Sequence, residues 1–171
     1  QRLLESSKLC PLEFNQHLVL QPEALEKEIR GVVLGAEQAI RKGCTAVVYT
    51  RRERLDVGGN DREKELDLSL RISDAVTSIV QRLQVRPSWV IAKGGITSSE
   101  IGVKGLGVRR ALVMGQVLPG VPVWKTGEES KFPGISYVVF PGNVGERNAL
   151  RDLVESLDNA RATAGKERKL R

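Results

Sequence analysis

The stretch VIAKGGITSSEIG, residues 90–102, joins an apolar run to a pair of glycines and then to a predicted helix. Its apolar start predicts a buried strand. Thr97 and Glu100 form a T-x-x-E capping pattern, so a helix is expected to begin near Thr97. Gly94 and Gly95 have the backbone freedom for a tight turn and leave the main chain accessible. The residues alone leave two alternatives open, a phosphate cradle or a plain strand–turn–helix connection.

A second glycine stretch, PGNVG at 141–145, follows the apolar run ISYVVF and precedes the last predicted helix. Ligands of open α/β sheets gather at the carboxyl ends of strands, where both stretches are expected. Gly142, Asn143 and Gly145 are the candidate binding residues there. Neither stretch matches a Walker A or a dinucleotide G-x-G-x-x-G motif, so each one is a modest signal by itself.

Predicted strands alternate with predicted helices along the chain, which indicates an α/β layered sandwich with a largely parallel sheet flanked by helices. Apolar residues at helical spacing predict two long amphipathic helices, one beginning at Pro22 and one ending near Leu83. The opening segment QRLLESSKL is expected to be helical, and Asn60 is expected to cap the second long helix. The predicted strands are HLVLQ, TAVVYT, SWVIA, RALVMGQVL, VPVWKTG and ISYVVF. Pro122 makes VPVWKTG an expected edge or hairpin strand.

Composition excludes several classes of protein. The chain has 171 residues with a formal net charge of +6, and no apolar run approaches a membrane span. Residues 160–171 carry five basic residues and one acidic residue without any aromatic residue, which indicates a flexible basic tail rather than a nucleic-acid contact. We therefore expect one domain over 1–159 and a tail over 160–171.

Cys10 and Cys44 have no metal-like spacing and indicate a reducing compartment such as the cytoplasm.

The other polar candidates are weaker. His17 is the only histidine and has no nucleophile signature around it, so a structural role is expected. Trp89 and Trp124 are expected to pack in or beside the core, with an adenine slot as the alternative. Arg51 and Arg52 follow the TAVVYT strand and are either solvated or placed at the ligand edge of the sheet.

The segments AKGGITSSEIGVKGLGVRRALVMGQVLPGVPVW and FPGISYVVFPGNVG resemble the C-terminal nucleotide-binding domain of the four-carbon acid sugar kinase family. The resemblance extends over roughly residues 18–157. It implies a two-domain enzyme whose N-terminal domain binds a tetronate or 3-oxo-tetronate and whose C-terminal domain binds ATP with Mg²⁺. The family's ATP contacts correspond to these residues: Gly94, Gly95, Thr97, Ser98, Gly142, Asn143 and Gly145.

This sequence departs from the family's pattern in several features. A family serine in a G-S loop and the whole sugar-binding domain are absent from this sequence, so catalytic residues are expected in that other domain and the chain alone is expected to be inactive. Many family members carry an acidic residue where this chain has Ile96. No protein metal ligand is expected here, whereas Lys93, Arg51 or Arg52 are candidates for neutralising phosphate charge.

Two functions are consistent with the sequence. The first is the ATP-binding domain of a kinase that transfers a phosphoryl group from ATP to a hydroxyl of a sugar acid. The second is a non-catalytic, kinase-like binding or assembly module of a larger protein, with Ile96 marking lost chemistry. No nucleic-acid or membrane partner is expected, and a homodimer is compatible with the sequence.

Overall fold

The computed structural model describes residues 9–53, 55, 62–146 and 148–169, with side chains described as far as residue 160. The α-helices within these ranges are α1 (Pro22–Arg41), α2 (Arg62–Arg82), α3 (Gly95–Glu100) and α4 (Ala149–Lys169). The strands within them are β1 (Leu9–Phe14), β2 (Thr45–Thr50), β3 (Trp89–Lys93), β4 (Ala111–Leu118), β5 (Val121–Thr126) and β6 (Ser136–Phe140). A 3₁₀ helix at Gln16–Leu20 precedes α1, and a π-helical turn at Ile101–Gly105 continues α3.

The described strands form two sheets. Strands β1 and β2 pair in parallel, and a second sheet has the order β3-β6-β5-β4. Its β3–β6 pair is parallel, whereas β6–β5 and β5–β4 are antiparallel. The predicted layered α/β class is confirmed, with a sheet that is partly rather than largely parallel. The β4–β5 pair is antiparallel because a tight turn at Pro119–Gly120 joins the two strands directly and leaves no room for a crossover helix.

The helices α1 and α2 form as their apolar periodicity predicts. Each buries one face, with Ile29, Val32 and Ala36 on α1 and Ala75 and Ile79 on α2. Apart from Ala36, these residues pack together with Phe14, which is fully buried at the end of β1. Pro22 lies in the first turn of α1, where its missing N–H costs no helical hydrogen bond.

Three local predictions differ from the structure. The segment HLVLQ is not a strand, because the Asn15 side chain accepts a hydrogen bond from the His17 N–H and caps a 3₁₀ helix. Leu9, the last residue of the predicted opening helix, belongs instead to β1, and residues 1–8 lie outside the described part. Strand β5 forms the predicted hairpin but is not the edge, since β4 covers it. Pro122 is tolerated because its partner on β4 lies beside a β-bulge.

Two further predictions concern segments that the structure describes only in part, the residues before α2 and the end of the chain. The predicted cap Asn60 lies outside the described residues, so only the start of α2 at Arg62 is seen. Helix α4 continues to Lys169, through most of the segment expected to be a flexible tail, and the division into a domain and a tail stays a prediction. No helix among the described residues combines the length and apolarity that crossing a membrane requires.

A cleft separates the two sheets. It has a volume of about 1460 Å³ and is lined by β2 on one side, by β3 on the other and by α2. The strand TAVVYT is therefore mostly half-buried, not covered on both faces as its apolar run suggests. The residues that follow β2 and those that follow β3 both line this cleft, although they are distant in sequence.

Candidate functional site

The two glycine stretches lie side by side. Strands β3 and β6 are parallel neighbours whose last paired residues are Lys93 and Phe140. The Gly94 N–H then donates to the Phe140 carbonyl across 2.8 Å, which ties the two strand ends together. Both glycine stretches leave the sheet at its carboxyl edge, as expected from the sequence. The candidate residues on the two stretches are therefore adjacent in space although they are almost 50 positions apart.

Gly94 makes the turn from β3 into α3. Its φ is +108°, a value that L side chains rarely adopt, and it occupies the N-cap position of α3. The helix begins at Gly95, so the predicted start near Thr97 is wrong. Glu100, the predicted capping partner, instead pairs with Lys104 one turn later. Because Gly94 turns the chain directly after β3, the helix is two residues longer at its amino end than predicted.

The first turn of α3 presents main-chain donors at the rim of the sheet. The amides of Gly95, Ile96 and Thr97 precede the first intrahelical bond, which runs from the Ser98 N–H to the Gly94 carbonyl across 2.9 Å. A Cβ added at Gly95 would meet no atom within 4 Å. This turn therefore offers N–H groups that are accessible to an anion, with the partial positive charge of a helix amino end.

Ser98 holds α3 against the sheet. Its side chain is buried, and its hydroxyl donates to the Ala92 carbonyl on β3 across 2.7 Å. The Ser98 carbonyl accepts a hydrogen bond of 2.5 Å from the Tyr137 hydroxyl on β6. The Ser98 hydroxyl is thus engaged with the protein, whereas Thr97 beside it is half-buried at the rim. The nucleotide contact expected for Ser98 stays a prediction, and the geometry gives its hydroxyl a structural partner.

Tyr137 is a structural element of the site that the sequence did not reveal. It is fully buried, its ring lies against Trp124 with centroids 6.2 Å apart, and a Cβ on Gly102 would approach it to 3.3 Å. Burial raises the pKa of the Tyr137 hydroxyl well above its ordinary value. The hydroxyl therefore stays protonated and remains a donor to Ser98 at any working pH.

The second stretch forms an exposed loop before α4. Gly142, Asn143 and Gly145 are all exposed at the surface, and Gly145 has φ +85°. A Cβ at Gly145 would lie 2.7 Å from the Ala149 side chain, so a glycine is required there by both strain and space. A Cβ at Gly142 would meet nothing within 4 Å. The loop backbone is open on the side of Gly142 and tightly packed on the side of Gly145.

Lys93 connects the two stretches. Its ammonium group donates to the Gly142 carbonyl across 3.2 Å and lies 5.8 Å from the centre of the Phe140 ring. An ammonium group has three donors, so Lys93 can hold the second loop and still face an anion between the loops. The structure thus places the positive charge that the sequence suggested at the junction of both glycine stretches.

Arg51 and Arg52 follow β2 and line the same cleft as Lys93 and Gly94. Arg51 forms an ion pair of 3.0 Å with Glu13. Gln16 fixes the backbone here, because its side chain accepts from the Arg51 N–H and donates to the Arg51 carbonyl. Arg51 therefore lies at the rim of the cleft with its charge partly neutralised. Gln16 is buried and positions this backbone, a role that no sequence pattern around it indicates.

The remaining candidate residues are His17, Trp124, Trp89 and Ile96. The His17 ring lies 3.0 Å from the Glu53 carbonyl, beside the segment that follows β2. Trp124 packs against the core of the four-stranded sheet, which confirms its predicted packing role. Trp89 begins β3, at the opposite end of the strand from Lys93. Ile96 is 75% exposed in the first turn of α3, next to the accessible amides.

Comparison with known proteins identifies the family. The model of the nucleotide-binding C-terminal domain family matches residues 1–150. No curated protein matches the chain.

Two crystal structures of a domain of unknown function (DUF1537) from Bordetella bronchiseptica share the fold, both described as domain-swapped dimers with bound citrate. One has a TM-score of 0.51 at 18% identity and the other 0.50 at 16%. Each comparison covers 86% of this chain but only 40% and 32% of the respective structure, so this chain spans less than half the length of the proteins it matches. The chain belongs to the family of nucleotide-binding C-terminal domains, in agreement with its resemblance to the C-terminal half of four-carbon acid sugar kinases.

Proposed function

We propose that the chain is the ATP-binding domain of a four-carbon acid sugar kinase, which transfers a phosphoryl group from ATP to a hydroxyl of a tetronate or 3-oxo-tetronate. The observation that carries the proposal is the adjacency of the two glycine stretches at the ends of neighbouring parallel strands. Family membership supports the nucleotide, and the resemblance of the sequence supports the sugar acid. A cytoplasmic location, where ATP is abundant, is part of the same proposal.

The site fits the phosphates of ATP. At Gly95 and Gly142 the space that a side chain would fill is open, so a phosphate oxygen can approach the main chain at both positions. Among the described residues, no group of three or more His, Cys, Asp and Glu could hold a metal ion. Mg²⁺ would therefore be carried mainly by the phosphates, as is common for this cation.

Phosphoryl transfer needs the phosphates held in line and their charge neutralised more than it needs covalent chemistry from the protein. The amides of Gly95 to Thr97 and the loop at Gly142 are suited to hold phosphate oxygens, and Lys93 is suited to balance charge between them. Arg51 and Arg52 line the same cleft as Lys93 and Gly94. The base that activates the sugar hydroxyl is proposed to lie in another domain, so the chain alone is expected to bind nucleotide without transferring phosphate.

Calorimetric titration of the chain with ATP and Mg²⁺ tests this proposal. We expect one weak site, with a dissociation constant on the order of 0.1–1 mM, corresponding to about −4 to −5.5 kcal/mol. A polypeptide carrying a sugar-acid-binding domain should then show phosphoryl transfer to tetronates. Absence of binding at 5–10 mM nucleotide in both proteins would exclude the kinase proposal.

The second candidate function is that of a kinase-like binding or assembly module that no longer catalyses phosphoryl transfer. Its support is Ile96, an exposed apolar side chain in the first turn of α3 where the family often has an acid. A module of this kind would give no heat in the same titration and no transfer in the longer protein. The homodimer that the sequence allows is compatible with both functions.

Replacement of Ile96 by Asp tests whether the carboxylate that many family members carry at this position bridges Mg²⁺. The side chain is 75% exposed in the first turn of α3, so Ile96→Asp should keep the fold and raise stability by about 0.3–1 kcal/mol through the helix dipole. Without Mg²⁺ the added charge should weaken ATP binding, and with Mg²⁺ part of that loss should be recovered. The measurement is thermal denaturation together with titration in EDTA and in Mg²⁺. Ile96→Asn is the uncharged control, and an equal response of both variants to Mg²⁺ would exclude a metal-bridging role.

A further inference from the structure

Strands β2 and β3 present their edges to the cleft between the two sheets. Among the described residues, β2 pairs with β1 alone and β3 pairs with β6 alone. Every residue of both strands lines the cleft. Successive residues of a strand point to opposite faces of its sheet, so a cavity that touches all of them runs along the edge of the strand. The cleft is therefore bounded by two rows of main-chain hydrogen-bonding groups.

The N–H groups of β3 alternate between β6 and the cleft. The Gly94 N–H donates to a carbonyl at the end of β6. N–H groups two residues apart along a strand point to the same side, so those of Val90 and Ala92 also point toward β6. The N–H groups of Ile91 and Lys93 then point into the cleft, where no described strand pairs with them.

Helices cover both faces of the sheet beside the cleft. Neighbouring residues of β6 identify the two faces, because Tyr137 packs in one core cluster with Leu83, which follows α2, and Val138 packs in another with Leu153 of α4. Side chains of both α2 and α4 also line the cleft, and they are mostly apolar. An element in the cleft would therefore have main-chain partners at both edges and apolar side chains on both faces.

We propose that the cleft takes one further strand, an apolar segment that pairs with both β2 and β3 and joins the two sheets into one. Its length follows from its neighbours, since β2 has six residues and β3 has five. Its composition follows from the helices on both faces, because strands covered on both faces are nearly continuous runs of Val, Ile and Leu. A parallel orientation would match the pairing of β1 with β2 and of β3 with β6.

The source of this strand is another part of the same, longer polypeptide. Each described strand already uses at least one edge in its own sheet, so no described strand of a second folded copy has both edges free. A strand paired at both edges and covered on both faces belongs to a domain core, unlike a peptide bound at a surface. The similar crystal structures contain further chain outside the shared fold, because the comparisons cover only 32% and 40% of them. This source rests on the longer enzyme proposed above.

The added strand would extend the candidate site. A segment parallel to β3 would end beside Lys93 and the amino end of α3, so the residues after it would reach the carboxyl edge of the sheet, where ligands of such sheets bind. This consequence rests on the proposed nucleotide site, whereas the pairing of the strand can be tested without nucleotide.

Residue-resolved hydrogen exchange without nucleotide tests the proposal by comparing this chain with the natural full-length protein. We expect the Ile91 and Lys93 amides to exchange at least about 100-fold more slowly in the full-length protein, because they gain hydrogen-bond acceptors there. The Val90 and Ala92 amides are the matched control on the same strand. They point toward β6 in both proteins, so their exchange should slow by less than about 10-fold.

Two results would overturn the proposal. The first is equal exchange of the Ile91 and Lys93 amides in the two proteins. The second is protection that appears only as the full-length protein is raised from about 1 to 100 μM, because this dependence would assign the strand to a second copy. Neither result involves ATP, so failure of this proposal and failure of the nucleotide proposal are distinguishable.

Discussion

Replacing Gly95 by Val is expected to weaken ATP binding by at least about 30-fold, a loss of roughly 2 kcal/mol, without unfolding the domain. Gly95 is the first residue of α3 and has an ordinary backbone conformation. The Cα–Cβ bonds of a helix tilt toward its amino end, so the valine side chain would extend toward the accessible amides. It would fill the space through which a phosphate reaches the main chain, while meeting no protein atom within 4 Å of its Cβ.

The matched control is Gly31→Val in the middle of α1. A Cβ at Gly31 also meets nothing within 4 Å, and the residue is exposed on a helix remote from the glycine stretches. Both variants should unfold cooperatively near the melting temperature of the natural chain, and ATP affinity should fall in Gly95→Val alone. Titration calorimetry with ATP and Mg²⁺ gives the comparison. Unchanged affinity in Gly95→Val would place the nucleotide elsewhere on the protein.

Replacing Tyr137 by Ala is expected to cost about 3–5 kcal/mol of unfolding free energy, the usual range for removing a buried aromatic side chain. Tyr137 is fully buried, contacts Trp124 and donates to the Ser98 carbonyl. Tyr137→Phe keeps most of the packing and removes one hydrogen bond, so its expected cost is about 1–2 kcal/mol. The two substitutions together separate ring packing from the hydrogen bond that anchors α3.

Urea denaturation followed by circular dichroism measures both losses. Tyr137→Phe should also weaken ATP binding slightly, because α3 would be held less firmly to β6. Leu34→Ala, on an exposed face of α1, is the control for a large apolar residue that packs little, since Leu34 is 58% exposed. A Tyr137→Ala variant as stable as Leu34→Ala would contradict the described packing of β6 against α3.

The sequence predicted the parts of the fold that depend on long apolar patterns. Helix α1 and strands β2, β3 and β6 follow from helical periodicity or continuous β-branched runs. The position of the candidate site was proposed from the rule that ligands of open α/β sheets bind at the carboxyl ends of the strands, and it stays a prediction. The adjacency of the two stretches required the pairing of β3 with β6, which no local pattern specifies.

The errors have local physical causes. The strand predicted at HLVLQ became a 3₁₀ helix because a side chain of Asn15 caps it. The start of α3 was placed at Thr97 because the capping pattern is present, but Gly94 turns the chain earlier through a positive φ. The anchoring roles of Tyr137 and Gln16 depend on contacts 39 and 35 residues away in sequence, so they could not be predicted from neighbours.

The most direct test of the nucleotide site is the response of backbone amides to ATP and Mg²⁺ in two-dimensional NMR spectra. We expect the amides of residues 94–98 and 142–145 to shift together along one binding curve, with those of α1 unchanged. A joint response is required because the Gly94 N–H and the Lys93 side chain tie the two stretches to each other. Saturable shifts confined to another surface, with the amides of both glycine stretches unchanged, would contradict a nucleotide site at these two loops.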